Sequence, residues 1–384
     1  MHTTSANSVS DLAVPATSYC KNVPLSKCFF FVSECEITST VEAAIDINTV
    51  ANHVYRYNFP ETKLLSRNIL SLTAEEINNL HIEMILMSPP CQPFTRYMPD
   101  ICQHVLFYRV GLKKDVADDR TSPLLHIIKI LPYLKEPFKY LLLENVKGFE
   151  MSEARNRLVE ALQNMNYTFQ EFILSPSQFS IPNSRHRYYL IAKQSLLQFC
   201  FDIESLMEQL PELNRDNYAK TIGVRVCDLN STYKGMIDHR LSTEKNNRVC
   251  FKLHHILENK HEDYVHSFLL PDKLLLKHFL LLDIVSPSST RSCCFTKAYG
   301  HYVEGTGSVL CPVLPEDIAS CTGCLEKLKK LQLRYFTDRE IARLMCFPEE
   351  FRFPGNVTLK QRYRLLGNSI NVHVVSLLIT LLVA

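Results

Sequence analysis

The chain has 384 residues, of which 46% are hydrophobic and 21% are charged. These proportions are ordinary for a packed, water-soluble protein and exclude a disordered chain, a collagen and a coiled coil. The formal net charge is only +2, so a nucleic acid would have to be bound by a local basic patch rather than by an overall positive field. Ten residues are glycine and the first is Gly111, so no glycine-rich loop exists before that position.

The cysteines and the apolar segments bear on the cellular compartment. Fourteen cysteines are scattered without the spacing of a disulfide framework, and residues 1–15 are too polar for a secretory signal. The longest apolar stretch, residues 372–384, is shorter than the roughly 20 residues that a membrane span needs. We therefore expect a soluble protein with reduced thiols, in the cytoplasm or the nucleus.

Hydrophobic periodicity predicts the elements in chain order. Residues 1–27 are rich in serine and threonine and are predicted to be a poorly ordered tail. Strands are predicted at 28–32, 41–45, 84–87, 140–143, 172–174 and 188–192. Helices are predicted at 49–57, 124–134, 155–164 and 370–382, with helical pieces at 268–282 and a further helix opened by the capping box Thr337-Asp-Arg-Glu340.

The alternation of short apolar strands with amphipathic helices predicts the α/β class, with a mostly parallel sheet covered on both faces. Residues 28–195 would form the main domain, and residues 331–384 would complete it. The pattern loosens between them, so residues 196–330 are predicted to be a smaller second domain. In such folds ligands bind beyond the carboxyl ends of the strands, which is where the predicted elements place Asp46 and Glu144.

Three groups near strand ends are candidates for chemistry. Cys91 lies among prolines in Pro-Pro-Cys-Gln-Pro, a rigid turn that would present a nucleophilic thiol, although a lone cysteine is more often a buried structural residue. Glu144 ends an apolar strand, where desolvation favours a general acid; a helix cap or a surface ion pair is the alternative. Arg185 and Arg187 are two residues apart and could converge on one anion, or form an ordinary solvated charge pair.

Four blocks, in order, resemble the cytosine-C5 methyltransferase family over about residues 36–384. They are Pro-Pro-Cys-Gln-Pro-Phe-Thr-Arg (89–96), Glu-Asn-Val-Lys-Gly-Phe-Glu (144–150), Ile-Pro-Asn-Ser-Arg-His-Arg-Tyr-Tyr (181–189) and Leu-Gly-Asn-Ser-Ile-Asn-Val-His-Val-Val (366–375). Two further segments, Cys293-Cys-Phe-Thr-Lys-Ala-Tyr-Gly300 and Val303-Glu-Gly-Thr-Gly-Ser-Val-Leu310, are similar to the branch that methylates the tRNA for aspartic acid. The resemblance implies a Rossmann-like S-adenosylmethionine-dependent methyltransferase sheet, with a smaller target-recognition domain inserted before the C-terminal segment.

The resemblance also implies a reaction and the residues that carry it. The enzyme would methylate C5 of cytosine 38 in the anticodon loop of the aspartic acid tRNA, with S-adenosylmethionine as the methyl donor. Cys91 would add to C6 of the base, and Glu144 would act at ring N3. Arg187 would hold the base carbonyl, and Arg185 would hold the surroundings of the cysteine and the glutamate. The base must leave its stack to be attacked, which costs less in a single-stranded loop than in a duplex.

By the same resemblance, the remaining site residues divide between the cofactor and the RNA. Asp46 would bind the ribose hydroxyls. The adenine and the rest of the cofactor would be contacted by Asn68, Ile69, Leu70, Ser88, Asn368 and Ser369. The tRNA would be approached by Cys294, Phe295 and Thr296.

Two further features near the C-terminus have a functional and a plain interpretation. Residues 321–384 contain ten Lys or Arg against five Asp or Glu. This surplus could meet phosphates, or it could be a solvated helical face. Cys321 and Cys324 form a CxxC pair, but no second pair follows at metal-binding spacing, so no zinc site is expected.

The chain departs from the family pattern at two places. A Phe/Tyr-Ser-Gly-x-Gly-Gly loop after the first strand should let backbone amides approach the methionine part of the cofactor, but residues 29–36 run almost directly into 41–46 without it. Residues 97–110 would be an insertion in the loop that closes over the base, which would impede closure. A skipped exon and a retained segment would explain both departures, and the genomic sequence upstream of codon 36 tests this.

Three functions stay open on the sequence alone. The first is a tRNA cytosine-C5 methyltransferase of the aspartate-tRNA branch. The second is a tRNA-binding protein that no longer catalyses, because the cofactor loop is missing. The third is a DNA cytosine-C5 methyltransferase, against which the Cys-Phe-Thr signature argues; DNA would then be at most a weak partner. No membrane partner is expected, and the oligomeric state is not predicted.

Overall fold

The computed structural model describes residues 14–20, 39–90, 94, 115–211, 249–315 and 317–384. Three predictions fall outside these residues, namely the strand at 28–32, the reactive Cys91 and the insertion at 97–110.

Nine strands and ten α-helices are assigned in the described ranges. The strands are β1 (Val14–Cys20), β2 (Ser39–Ile45), β3 (Leu64–Leu65), β4 (Met84–Ser88), β5 (Tyr140–Val146), β6 (Tyr167–Leu174), β7 (Arg187–Gln194), β8 (Ile284–Val285) and β9 (Val309–Leu310). The helices are α1 (Thr49–Asn58), α2 (Ala74–Asn78), α3 (Ser122–Ile130), α4 (Glu153–Asn164), α5 (Glu262–His266), α6 (Asp272–His278), α7 (Leu325–Lys330), α8 (Asp338–Leu344), α9 (Leu359–Gly367) and α10 (Val372–Val383).

One sheet of seven strands organises the molecule, in the order β3-β2-β1-β4-β5-β7-β6. Strands β1 to β5 pair in parallel, whereas β7 runs antiparallel to both β5 and β6. The predicted α/β class with a mostly parallel sheet is therefore confirmed. The antiparallel β7 brings its first residue, Arg187, opposite Val146 at the end of β5.

Strand β1 corrects the prediction that residues 1–27 form a disordered tail. It pairs with β2 on one side and with β4 on the other, so that Cys20 lies opposite Ser88. A strand is required between β2 and β4 because their facing amides and carbonyls would otherwise lack partners. Pro15 is tolerated because it precedes Ala16, where pairing with β4 begins. The segment is too short and too polar for periodicity to have shown this.

Apolar side chains of the central strands alternate between two cores, as strand geometry requires. Leu142 of β5 points into one core, which α1, α8, α9 and α10 cover. Leu141 and Leu143 point into the other core, which α3 and α4 cover. Both faces of the sheet are thus buried, and the polar groups that remain at the strand ends are available for a site.

Element ends follow local chemistry. Helix α8 begins after the predicted capping box, in which Thr337 and Glu340 exchange side-chain and backbone hydrogen bonds. Helix α3 ends at Ile130, earlier than predicted, and a 3-10 turn over Leu131–Tyr133 follows. Pro132 explains the change, because it has no amide to continue the α-helical pattern.

The region between β7 and α8 contains the short parallel pair β8–β9 and a small core of its own. Phe268 and Phe295 of this region lie in the same core as α10. The predicted boundaries of the second domain therefore stay a prediction. Among the described residues, one helical stretch, Leu359–Val383, is long and apolar enough to cross a membrane by length and composition. Most of it is buried inside the protein, as in the core helix of a soluble protein.

Candidate active site

The site is built around Glu144, which lies in β5 two residues before that strand ends and beside the last residue of β4. Met87 lies opposite Leu143 in the parallel pairing of these strands, so the next residues, Ser88 and Glu144, are neighbours across the sheet. The Ser88 hydroxyl donates a hydrogen bond to Glu144 Oε2, and both residues are buried. The carboxylate is therefore fixed in direction by the sheet and by a neighbouring hydroxyl.

Arg187 reaches the same carboxylate from β7. Its Nε lies 3.5 Å from Glu144 Oε1, and both side chains are largely buried. This contact exists because β7 is antiparallel to β5 and so begins where β5 ends. Glu144 and Arg187, which were predicted as site residues from separate motifs, are thus brought together.

Arg185 lies just before β7 and is only 3% exposed. Its Nη1 donates to Cys294 Sγ at 3.0 Å and to the Phe295 carbonyl at 2.9 Å. Its Nη2 donates to the carbonyl oxygens of Gly367, at 3.0 Å, and of Ser369. Both terminal nitrogens are thus taken by protein groups. Arg185 thus ties three chain segments together, and its assignment as a catalytic residue stays a prediction.

The loop that carries Cys294 was predicted to approach the RNA. The ring of Phe295 is instead 1% exposed and packs edge-on against Tyr299 and Phe336. This packing does not support a direct contact between the ring and RNA. The ring holds the loop in place. Cys294 and Thr296 are half-buried, and their predicted role at the RNA stays a prediction.

Gly367 brings this loop against the end of α9. A Cβ atom at Gly367 would lie 2.1 Å from the carbonyl carbon of Thr296 and 2.2 Å from the amide nitrogen of Lys297. Only a residue without a side chain allows two backbones to approach so closely. The glycine of the Leu-Gly-Asn-Ser block is therefore explained by sterics, because a side chain there would overlap the neighbouring backbone.

The turn before Cys91 is held from β5. Pro89 and Pro90 are buried, and Asn145 Nδ2 donates to the Pro89 carbonyl at 3.3 Å. After the turn, Phe94 packs edge-on against Phe149, with 4.8 Å between ring centroids. Asn145 was not predicted as a site residue, although its place in the Glu-Asn-Val block next to Glu144 was a signal.

Asp46 lies on the cofactor side, directly after β2, and is 7% exposed. Its Oδ1 accepts a hydrogen bond from the Asn48 amide at 2.7 Å. Asn52 Nδ2 donates to the Asp46 carbonyl and to Ser66 Oγ, both at 2.9 Å. Asn52 thereby ties the segment after β3 to the end of β2, where a carboxylate is placed to accept hydrogen bonds from hydroxyls.

The other predicted cofactor residues fall into two groups. Asn68 caps the 3-10 turn Ile69–Ser71 by accepting a hydrogen bond from the Leu70 amide at 3.2 Å, and Leu70 is well exposed. Ser369 is fully buried, its Oγ lies 3.8 Å from Met345 Sδ, and Asn368 is the C-cap residue that follows α9. Ser369 therefore contributes its backbone near the site, while its hydroxyl faces the core.

These residues fit one half of S-adenosylmethionine. Asp46 and the turn at 69–71 suit the ribose and the adenine. The methionine half should lie beyond the end of β1, which is next to Ser88. Cys20 is followed in the sequence by Lys-Asn-Val-Pro and by no glycine before Gly111, so the glycines of the family loop are missing from the sequence that follows β1. In the described residues, no group of three or more His, Cys, Asp or Glu is arranged to hold a metal ion.

A family model described as C-5 cytosine-specific DNA methylase matches residues 32–383. The chain belongs to this family. Relatives from Bos taurus and Homo sapiens, both named tRNA (cytosine(38)-C(5))-methyltransferase, are 46% and 44% identical to it, over 90% of this chain and 93% of each relative. The crystal structure of a DNMT2 triple mutant from Spodoptera frugiperda is similar with a TM-score of 0.75 at 37% identity, covering 96% of this chain and 100% of that chain.

Membership of the cytosine-C5 methylase family confirms the resemblance drawn from the motif blocks and the fold class. The protein is thus a cytosine-C5 methyltransferase in family and fold, and members of the family use S-adenosylmethionine. Within the family, the buried Glu144 and its two partners are the parts of the site that the structure brings together. The assigned roles of the individual residues stay predictions.

Proposed function

We propose that this protein transfers a methyl group from S-adenosylmethionine to C5 of cytosine 38 in the anticodon loop of the aspartic acid tRNA, through a covalent adduct with Cys91. The observation that carries the proposal is the buried Glu144, held by Ser88 and Arg187 beside the turn that leads into Cys91. The names of the Bos taurus and Homo sapiens relatives support tRNA as the substrate. The proposed compartments are the cytoplasm and the nucleus.

The chemistry requires activation of the base, because C5 of cytosine is a poor nucleophile. The Cys91 sulfur would form a bond to C6, which moves electron density onto C5. Glu144 would hydrogen-bond ring N3, and Arg187 would donate to the base carbonyl, so charge is stabilised where it develops. S-adenosylmethionine would supply the methyl group. Loss of the C5 proton then allows the bond between sulfur and C6 to break, which frees the enzyme.

A surface next to the site suits the phosphates of the RNA. Several basic residues near the C-terminus are paired with carboxylates in the structure, namely Lys329, Arg334, Arg343 and Arg362. Lys360 and Arg364 are exposed and lie one turn apart on α9. Helix α9 ends at Gly367, which contacts the loop of Thr296. These two cations would therefore meet RNA backbone that enters from the side of that loop.

The test is transfer of labelled methyl groups to purified tRNA. We expect Cys91→Ala to abolish transfer, and Glu144→Gln to lower it by at least about a hundredfold, because a positioned acid contributes that much. Cys200→Ala, at an exposed cysteine, is the control and should keep full activity. Aspartic acid tRNA in which cytosine 38 is replaced by uridine should not be labelled. Transfer by Cys91→Ala would remove the adduct from the mechanism.

The missing glycine loop favours a second candidate, a tRNA-binding protein that does not catalyse. Only the adenosine half of the cofactor has a matching set of residues in the described part of the chain, around Asp46. This candidate predicts that calorimetry detects no more affinity for S-adenosylmethionine than for adenosine, and that Asp46→Ala weakens both equally. Tight binding of S-adenosylmethionine alone would refute it. Competition between aspartic acid tRNA and duplex DNA tests the third possibility, a DNA methyltransferase.

A further inference from the structure

The sulfur of Cys294 lies between two guanidinium groups. It is 3.0 Å from Arg185 Nη1 and 3.9 Å from Arg187 Nη2. In the contacts described above, every other acceptor of the terminal nitrogens of Arg185 is a neutral backbone carbonyl. The nearby carboxylate, on Glu144, is on the side of Arg187. Both guanidiniums thus contact this sulfur, and Arg187 also contacts the Glu144 carboxylate.

The electrostatic surroundings favour the charged form of this sulfur more than the surroundings of an ordinary cysteine do. Burial by itself would raise the pKa of the Cys294 thiol, but the neighbouring charges of Arg185 and then Arg187 outweigh burial, and the pKa is lowered below its usual range. Among the described residues, the titratable and charged groups near the sulfur include these two arginines, Glu144 beyond Arg187, and the adjacent Cys293. A negative sulfur would also relieve the repulsion between the two guanidiniums.

The neighbouring cysteine has the opposite environment. Burial, and then the carboxylate of Asp283, raise the pKa of Cys293 to about 12. Cys293 should therefore be a neutral thiol at physiological pH. Two adjacent residues of the same type, in one loop, thus provide an internal comparison.

We propose that Cys294 is a thiolate in the folded protein and acts as a positioning residue, holding Arg185 and Arg187 side by side with Arg187 directed at Glu144. The thiolate state stands on these contacts alone, whereas its effect on catalysis rests on the proposed function. The competing arrangement is a neutral thiol that donates to the Phe295 carbonyl, 3.8 Å away. That carbonyl already accepts a hydrogen bond from Arg185 at 2.9 Å, so the sulfur is better placed as an acceptor.

The first experiment measures the thiolate directly by ultraviolet absorbance of the full chain, between about pH 6 and pH 9. The spectrum of Cys294→Ser is subtracted from that of the unsubstituted protein, and the same is done with Cys293→Ser. We expect a thiolate signal with a midpoint below the usual thiol range in the first difference and no thiolate signal in the second. A first difference that titrates like an ordinary thiol would overturn the proposal.

A second measurement avoids any variant that fails to fold. The unsubstituted protein is alkylated with iodoacetamide, and the rates at Cys294 and Cys293 are read by mass spectrometry. The rate at Cys293 should rise about tenfold per pH unit, because its reactive form is still increasing. The rate at Cys294 should be nearly constant above neutral pH. A tenfold rise at both residues would contradict a resident thiolate.

The catalytic consequence has a separate readout. We expect Cys294→Ser to lower kcat by on the order of a hundredfold, since a misplaced group can cost that much, and Cys294→Asp to restore part of it by returning the negative charge. The pH dependence of kcat should lose its acidic limb in Cys294→Asp. If no methyl transfer is found in any variant, the proposed function fails, while the absorbance and alkylation results still decide the state of Cys294. Equal kcat in all variants would refute the positioning role.

Discussion

Gly367 shows how one residue sets the geometry of the site. It ends α9 against the backbone of Thr296 and Lys297, and its carbonyl accepts a hydrogen bond from Arg185. The loop that carries Cys294 is therefore clamped from two directions, by steric contact and by a buried guanidinium. Displacing this contact would move the sulfur and both arginines together.

We predict that Gly367→Ala destabilises the protein by about 3 kcal/mol or more, because the new methyl group would overlap backbone atoms that cannot move aside cheaply. Urea-induced unfolding measures the change. Gly355→Ala is the matched control, since a Cβ there meets no atom within 4 Å, and it should change the free energy of unfolding by less than about 0.5 kcal/mol. Equal stability of the two variants would mean that the loop does not rest on α9 as described.

Residue patterns predicted part of the site. The spacing of Arg185 and Arg187 predicted that both could converge on one anion, and both contact Cys294 Sγ. The sequence did not indicate that this sulfur lies between the two arginines, because it is about a hundred residues further along the chain and only the fold brings it close. The burial of Phe295 was not predicted for a related reason, since the burial of a ring cannot be read from a short motif.

At the scale of elements, α10 is the most completely buried of the helices around the site. It carries one titratable residue. The helix predicted at 370–382 is close to the observed one, because an apolar run of this length is compatible with few other elements. His373, within it, lies edge-on to Phe179 with 6.1 Å between ring centroids. Burial lowers the pKa of this imidazole to about 4 from an ordinary value of 6.5. The folded protein therefore favours the neutral form of this histidine.

This pKa predicts how stability depends on pH. The unfolded chain binds a proton at His373 near pH 6.5, whereas the folded chain does so only near pH 4. The stabilisation is thus fully present above pH 6.5 and is lost as the pH falls towards 4, in total by about 3 kcal/mol. Unfolding in urea at several pH values measures it. His373→Gln should remove this part of the pH dependence, and an unchanged slope in that variant would show that other groups cause it.

At the scale of the whole molecule, β1 fills the position between β2 and β4 and so makes the seven-stranded sheet continuous. Most of its strands were predicted from apolar runs, but β1 was not, because the segment offers no such run and is identified only by its two neighbours. Ser18 of β1 lies opposite Ala44 on one side and Leu86 on the other. Because β1 has a neighbouring strand on each side, both edges of its backbone are paired.

We predict that Ser18→Pro destabilises the fold by on the order of 3 kcal/mol, because proline removes a ladder amide and is found in sheets only at edges, strand starts and bulges. Ser18→Thr keeps the amide and should be nearly neutral. Circular dichroism during urea unfolding compares the two. If both variants unfold like the parent protein, residues 14–20 do not form a strand between β2 and β4.

The antiparallel direction of β7 determines whether Arg187 and Glu144 come together in one site. The strand is eight residues long and spans about 26 Å. If β7 ran in the opposite direction, its first residue would lie at the other end of the strands. The guanidinium of Arg187 would then be about 26 Å from the carboxylate of Glu144. The antiparallel return of the chain from β6 to β7 is thus what sets a guanidinium beside a buried carboxylate in an otherwise parallel sheet.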